Sequence, residues 1–211
     1  MKRKTKREQG EARQALIRAG RELLVSTPLK SLSVRKLTQR AGVNLGLFHY
    51  YFKTKERFAD AVIDEIGEKF IRHFREFPSG FKDPLERLKM LAVADAMAVV
   101  ENWDVFWMSV RDIRGKATPS VPVAKYALQM RKVYESAIRD CIKAGHFKGR
   151  SIDQVYRFIV NNASGVCITH LLFTPLFKGT PLFSRFFGSD VLTLEGIHRR
   201  VEFALRALER S

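Results

Sequence analysis

The sequence predicts an all-α protein, on three observations. Apolar residues recur at spacings of three and four through most of the 211 residues, the repeat that places a stripe on one face of a helix. No stretch alternates apolar with polar residues for long enough to suggest a strand, and there is no internal repeat. Prolines, glycines and capping residues cut the periodic stretches into helix-sized pieces. With 45% hydrophobic and 28% charged residues, the chain has the composition of a folded core. Its length suits one domain, or a small module joined to a larger one.

Each element has its own signal. Ala12, Leu16, Ala19 and Leu23 form a first stripe, which Thr27-Pro28 stops. Ser33 stands where an N-cap belongs, ahead of Val34, Leu37 and Ala41. Gly42 follows as a C′ residue of positive φ. A second short helix is expected from Asn44 through Tyr51. Thr54 can cap the next, which carries Phe58, Val62, Ile66 and Phe70. After the break at Pro78-Ser79-Gly80, the stripe Leu85, Leu88, Ala92, Ala96, Val99 and Trp103 begins near Asp83. A shorter segment over 106–113 and a loop over 115–122 precede a long helix marked by Ala127, Met130, Tyr134, Ala137 and Cys141. Another is expected over 152–173, then an irregular stretch over 173–188. Leu194, Ile197, Val201, Leu205 and Leu208 mark the last helix.

The net charge of +16 is uneven. Residues 1–60 hold 15 Lys/Arg against 5 Asp/Glu, whereas residues 61–211 hold 23 against 17. Cations concentrated at one end point to a polyanion there, nucleic acid first and an acidic membrane second. The opening MKRKTKREQGEAR has no apolar segment behind its charges and is not a secretory signal. Residues 158–177 lack any Asp, Glu, Lys or Arg, but Asn161, Asn162, Ser164, Thr169, His170, Thr174 and Pro175 interrupt them, so a buried helix is expected rather than a membrane span. Cys141 and Cys167 lie far apart in apolar surroundings and read as reduced thiols of a cytoplasmic protein.

Residues 48–52, Phe-His-Tyr-Tyr-Phe, set five rings in a row. Phe48, Tyr51 and Phe52 share a helix face and are expected to turn inward onto Leu37, Ala41 and the first helix. Gly46, Leu47, His49 and Tyr50 lie on or beside the opposite face, and Leu45 falls nearer the core side. Two short helices joined by a glycine turn make a helix-turn-helix, whose second helix enters the major groove of DNA.

The residues SVRKL at 33–37, AGVNLGLF at 41–48 and YFKTKE at 51–56 resemble the TetR family of bacterial transcriptional regulators. The match covers roughly residues 9–69, and beyond it only helix number and length agree. The resemblance implies a basic flexible tail (1–8), a three-helix DNA-binding domain (9–69, its helix-turn-helix at about 33–52), and a larger helical bundle for effector binding and dimerisation (70–211). The candidate DNA-contacting residues are Ser33, Val34, Arg35, Asn44, Leu45, Gly46, Leu47, His49, Tyr50 and Lys55. Gly46 has no side chain to hold the helix away from DNA, and the N–H groups after Ser33 suit a phosphate. Lys55 is placed by the resemblance at a phosphate. The tail is either an arm on phosphates or the minor groove, or a solvated end. Four positions depart from the family pattern. Asn44 replaces the frequent Ser or Thr; it still caps, and it can read adenine bidentately. His49 replaces the common Tyr. Leu45 and Leu47 are apolar where polar readers are frequent, which leaves thymine methyl groups as their contact and makes hydrogen-bonded readout sparse.

Residues 152–173 are apolar or small all round, and a helix of that kind needs cover on every side. Together with the last helix it is expected to form a homodimer interface. A twofold dimer implies a near-palindromic double-stranded DNA operator. Asp95, Trp103, Phe106, Trp107, Tyr126, Met130, Tyr134, Phe158, Asn162 and His170 are the candidate residues for a small, mainly apolar or aromatic effector; ordinary core packing is the competing reading for each. Asp95 is the one charge between Met90 and Val100, with a cationic ligand, Arg131, Arg111 or solvent as its possible partners. The family's usual behaviour implies a repressor released by effector, with the helix over 54–77 as pivot. An activator, an effector-independent regulator and a non-specific DNA-binding protein remain as alternatives. No HExxH, GxSxG or phosphate-cradling glycine loop is present, and the histidines lack metal spacing, so no enzyme, metal or cofactor is expected.

Overall fold

The computed structural model describes residues 6–76, 80–103, 121–177 and 188–209. All of their regular structure is helical: α1 (Lys6–Ser26), α2 (Val34–Arg40), α3 (Leu45–Phe52), α4 (Lys55–Glu76), α5 (Pro84–Glu101), α6 (Val121–Lys143), α7 (Ile152–Val160), α8 (Val166–Phe177) and α9 (Leu194–Glu209). A 3₁₀ turn (Leu29–Ser31) precedes α2, and a π-helical turn (Asn161–Gly165) joins α7 to α8. No helix of the described residues is long and apolar enough to cross a membrane.

The helices fall into two compact units. The first holds α1 to α3, α4 as far as Phe70, and Val121–Ala127 of α6; the second holds the rest. In the first unit, Leu16, Leu24, Leu37, Phe48, Phe58 and Val62 form a closed core. Phe48 and Phe52 are buried as their spacing predicts, while Tyr51 is only partly covered and packs at the edge. In the second unit α5 is central, lying against α7's π turn, α8 and α9.

Local chemistry fixes the ends. Asp83 Oδ1 accepts from Leu85 N at 3.0 Å, and Pro84 takes the first turn, where no N–H is needed. Ser151 and Gln154 form a reciprocal capping box at α7. Thr193 Oγ1 accepts from Gly196 N at 3.1 Å at the start of α9.

Some boundaries change. Lys6, Arg7 and Glu8, assigned to the tail, are already helical. Val121 and Pro122, assigned to the end of a loop, are already helical too. The expected helix over 152–173 is continuous, but a π turn widens it at Asn161–Gly165, where Ala163 and Ser164 are buried. α8 also runs past Pro175 to Phe177, with the Thr174 hydroxyl donating to the carbonyl of His170 at 2.8 Å.

Candidate nucleic-acid interface

The turn between α2 and α3 is built from hydrogen bonds to the end of α2. Gly42 has φ of 66°, the left-handed conformation that suits glycine. Its N–H donates to Gln39 O at 3.2 Å, and Val43 N–H donates to Thr38 O at 3.0 Å. Those two bonds are the Schellman pattern and close α2. Ser33 Oγ caps α2 by accepting from Lys36 N at 3.3 Å. Asn44 Oδ1 caps α3 by accepting from Leu47 N at 3.0 Å. At the far end of α3, Lys53 has φ of 63° and ψ of −49°, and Thr54 N–H reaches back to Phe52 O at 2.7 Å. That three-residue γ-turn delivers the chain into α4 with no linker.

The arrangement buries one side of α3 and presents the other. Phe48 and Phe52 pack on Phe58, with ring centroids 5.4 Å and 4.9 Å away. Gly46, His49 and Tyr50 are exposed, Tyr50 by 67%. Leu45 is 40% exposed, so its expected lean toward the core is corrected: it opens the helix, where no preceding turn covers it. Leu47 is half-buried, and both leucines lie outside the core cluster. A Cβ on Gly46 would find only Asn44 Oδ1, at 3.5 Å, so the fold itself does not demand glycine there.

Charge frames this face. Residues 23–55 contain six Lys/Arg and no Asp or Glu. Arg35, Lys36 and Lys53 are exposed. Arg40 is tied to Glu22 at 2.6 Å across α1 and α2. Val34 is half-buried and packs on the core, so its backbone rather than its side chain is what the start of α2 offers. Lys55 Nζ donates to Lys30 O at 3.2 Å, which tethers the 3₁₀ turn to α4; the sequence had suggested only a phosphate contact. Asn44 spends its Oδ1 on the cap, so bidentate adenine reading would cost that bond.

The remainder of the first unit holds a polar lock that sequence reasoning missed. Lys125 Nζ donates to Glu68 Oε1 at 2.7 Å and Asp64 Oδ1 at 3.0 Å. Tyr126 Oη lies 2.8 Å from both the carbonyl oxygen and Oδ1 of Asp64. The hydrogen bond from Tyr126, then those from Lys125, hold the Asp64 carboxyl below its ordinary range. Burial pushes the Tyr126 hydroxyl up to about 12. Tyr126 therefore takes part in this α4–α6 lock. Only the i, i+4 pair of acids on α4, facing a Lys-Tyr pair, marks it in the sequence.

In the second unit Asp95 and Tyr134 meet: Tyr134 Oη donates to Asp95 Oδ2 at 3.1 Å, and both are buried. Burial raises the Asp95 carboxyl to about 6, against the lowering effect of hydrogen bonds from Ser164 and Tyr134. Arg131 does not pair with Asp95. It bonds Glu135 at 2.6 Å and Asp153 at 2.8 Å, and stacks over Tyr156 at 4.2 Å. Trp103, Met130 and His170 are half-buried. Phe158 is 38% exposed, and the half-buried Asn162 donates to the carbonyl of Phe158 at 2.8 Å. Phe106, Trp107 and Arg111 lie outside the described residues. Both cysteines are free and buried, and burial pushes the Cys141 thiol up to about 12.

Comparison with known proteins agrees with this geometry. Residues 16–62 match the family described as bacterial regulatory proteins, tetR family. The HTH-type transcriptional repressor KstR2 of Mycobacterium tuberculosis is 26% identical over 136 residues, covering 62% of this chain and 67% of that protein. The transcriptional regulator AcuR of Cereibacter sphaeroides is 36% identical over 80 residues, 37% of this chain and 36% of its own. The regulator FadR of Bacillus subtilis, solved in complex with stearoyl-CoA, shares the fold at a TM-score of 0.71 and 15% identity, over 91% of this chain and 97% of that one. A TetR-family regulator of Pectobacterium atrosepticum has a TM-score of 0.67 at 16% identity, over 99% of both chains. Residues 16–62, with their capped helix-turn-helix, thus match the DNA-binding region of bacterial regulatory proteins of the tetR family, and the chain as a whole shares the all-helical fold of the solved regulators it resembles.

Proposed function

We propose that the protein is a dimeric, sequence-specific repressor that leaves a near-palindromic operator when a small, mainly apolar effector binds. The observation that carries the DNA half is the exposed face of α3 set in a segment with six cations and no carboxylate. KstR2, 26% identical to the chain over 136 residues, is a repressor by name. Ser33, Arg35, His49, Tyr50 and the N-terminal turn of α3 supply the contacts, with phosphates positioning the helix and its first residues reaching bases.

Dimerisation is assigned to α7, α8 and α9. Phe158, Phe173 and Leu176 are exposed on the first two, and Leu194 and Phe203 (68%) on the last. Apolar side chains repeated along neighbouring helices favour a second copy as their cover. The effector is assigned to the C-terminal region, residues 70–211 of the chain, around Asp95 and Tyr134 with Trp103, Met130 and His170. FadR's stearoyl-CoA makes a long acyl thioester the first class to try. Binding would shift the population toward a dimer whose two α3 helices no longer match successive grooves.

Selection of bound duplexes from a random pool at physiological salt tests this. A two-half-site consensus, bound by a dimer and released by an acyl thioester, is the expected result. Equal binding to all duplexes would replace it with non-specific DNA binding.

A further inference from the structure

We propose that Leu45 and Leu47 read the C5 methyl groups of thymine, so that operator recognition is carried by apolar contact more than by hydrogen bonds to base edges. This rests on α3 being the reading helix. Its eight residues, LGLFHYYF, include no Arg, Lys, Asn, Gln, Asp or Glu, the side chains that grip a base edge with two hydrogen bonds. The amide just ahead of it, Asn44, has its oxygen in the helix cap. The first turn of α3, the part of such a helix that reaches the bases, therefore presents two leucines either side of a glycine.

Neither leucine belongs to the core cluster, and Leu45 is 40% exposed. Gly46 is exposed, and a Cβ there would meet only Asn44 Oδ1, at 3.5 Å. It lets the backbone between the leucines come close to what they touch. The surrounding cations call for a polyanion as that partner, and in the major groove of DNA the apolar feature is the thymine methyl group.

The test uses the full-length protein and a duplex that it selects. Each thymine of a half-site is replaced in turn by deoxyuridine, which removes the methyl and leaves the pairing edge, and then by 5-bromodeoxyuridine, which restores a group of methyl size. At one or two thymines per half-site the uridine should weaken binding about fourfold for each methyl, the worth of one buried CH₂-sized group. Bromine should restore it. In Leu45→Ala or Leu47→Ala protein, the uridine penalty at the matching thymine should fall toward none. Binding that ignores uridine at every position, or a penalty that both leucine variants keep, would overturn the proposal while leaving DNA binding by α3 intact. Failure to select any duplex would sink both, and would favour a protein partner for the two leucines.

Discussion

The ring of Tyr126 fills the space that any side chain on Gly67 would need: a Cβ there would stand 2.2 Å from Tyr126 Cε2. This closeness brings the Tyr126 hydroxyl to Asp64 and seats Lys125 between Asp64 and Glu68. Gly67→Ala should push the ring out and destabilise the full-length protein by roughly 1–3 kcal/mol, the usual cost of overpacking. Denaturant unfolding measures it. An alanine variant as stable as the wild type would show that the ring has somewhere else to go.

The same lock should be acid-sensitive. Hydrogen bonds from Tyr126 and Lys125 lower the Asp64 carboxyl, and those from Lys125 and Tyr126 lower Glu68. A depressed carboxylate contributes stability above its unfolded pKa, and loses it as pH falls through the folded one. Opening of α6 around Lys125, followed by hydrogen exchange, should therefore rise below about pH 4, and Lys125→Met combined with Tyr126→Phe should remove most of that dependence.

Asp95 predicts the opposite sign. Its carboxyl stands at about 6 against 3.8, because burial disfavours the charge. The folded state then holds the proton more tightly than the unfolded chain. Stability is favoured below about pH 4, falls as pH rises to about 6, and carries the whole cost above that. That cost is on the order of 3 kcal/mol at neutral pH. Asp95→Asn keeps an acceptor for Tyr134 and should stabilise the protein at pH 7.5 but hardly at pH 4. A variant less stable at pH 7.5 would mean that a cation normally meets this carboxylate.

Gly42→Ala should cost roughly 1–2 kcal/mol, since an L-residue resists the positive φ that the turn imposes. Open space around the site means that strain, not a clash, sets the figure.

Arg35→Gln and Lys53→Gln should each weaken binding to every duplex alike. Each should lower the slope of log affinity against log salt by about one per lost phosphate contact. The selected consensus should not change. A changed consensus would move these side chains from phosphates to bases.

The fold was legible wherever local chemistry decides it. Ser33, Asn44 and Thr54 are caps that can be read from residue type and position, and each accepts the backbone N–H expected of a cap. The inward rings Phe48 and Phe52 followed from helical spacing. What could not be read was decided by tertiary partners. The π turn places Ser164 at Asp95, Lys55 turns to a carbonyl of the 3₁₀ turn, and Tyr126 joins α4. Periodicity records which face of a helix is apolar, not which helix lies opposite. Leu45 was misjudged for a related reason: a first-turn residue on the core side of the wheel has no preceding turn against which to be buried.

The central claim is that the exposed face of α3 lies against DNA closely enough that glycine at position 46 matters to binding and not to folding. The most direct measurement is the affinity of Gly46→Ala protein for a selected duplex, beside its thermal melting. The account predicts melting at the wild-type temperature or slightly above, as alanine is the better helix former by roughly 0.5–1 kcal/mol, with affinity reduced at least tenfold. Unchanged affinity in a well-folded variant would contradict it, and would move the DNA-reading surface away from the first turn of α3.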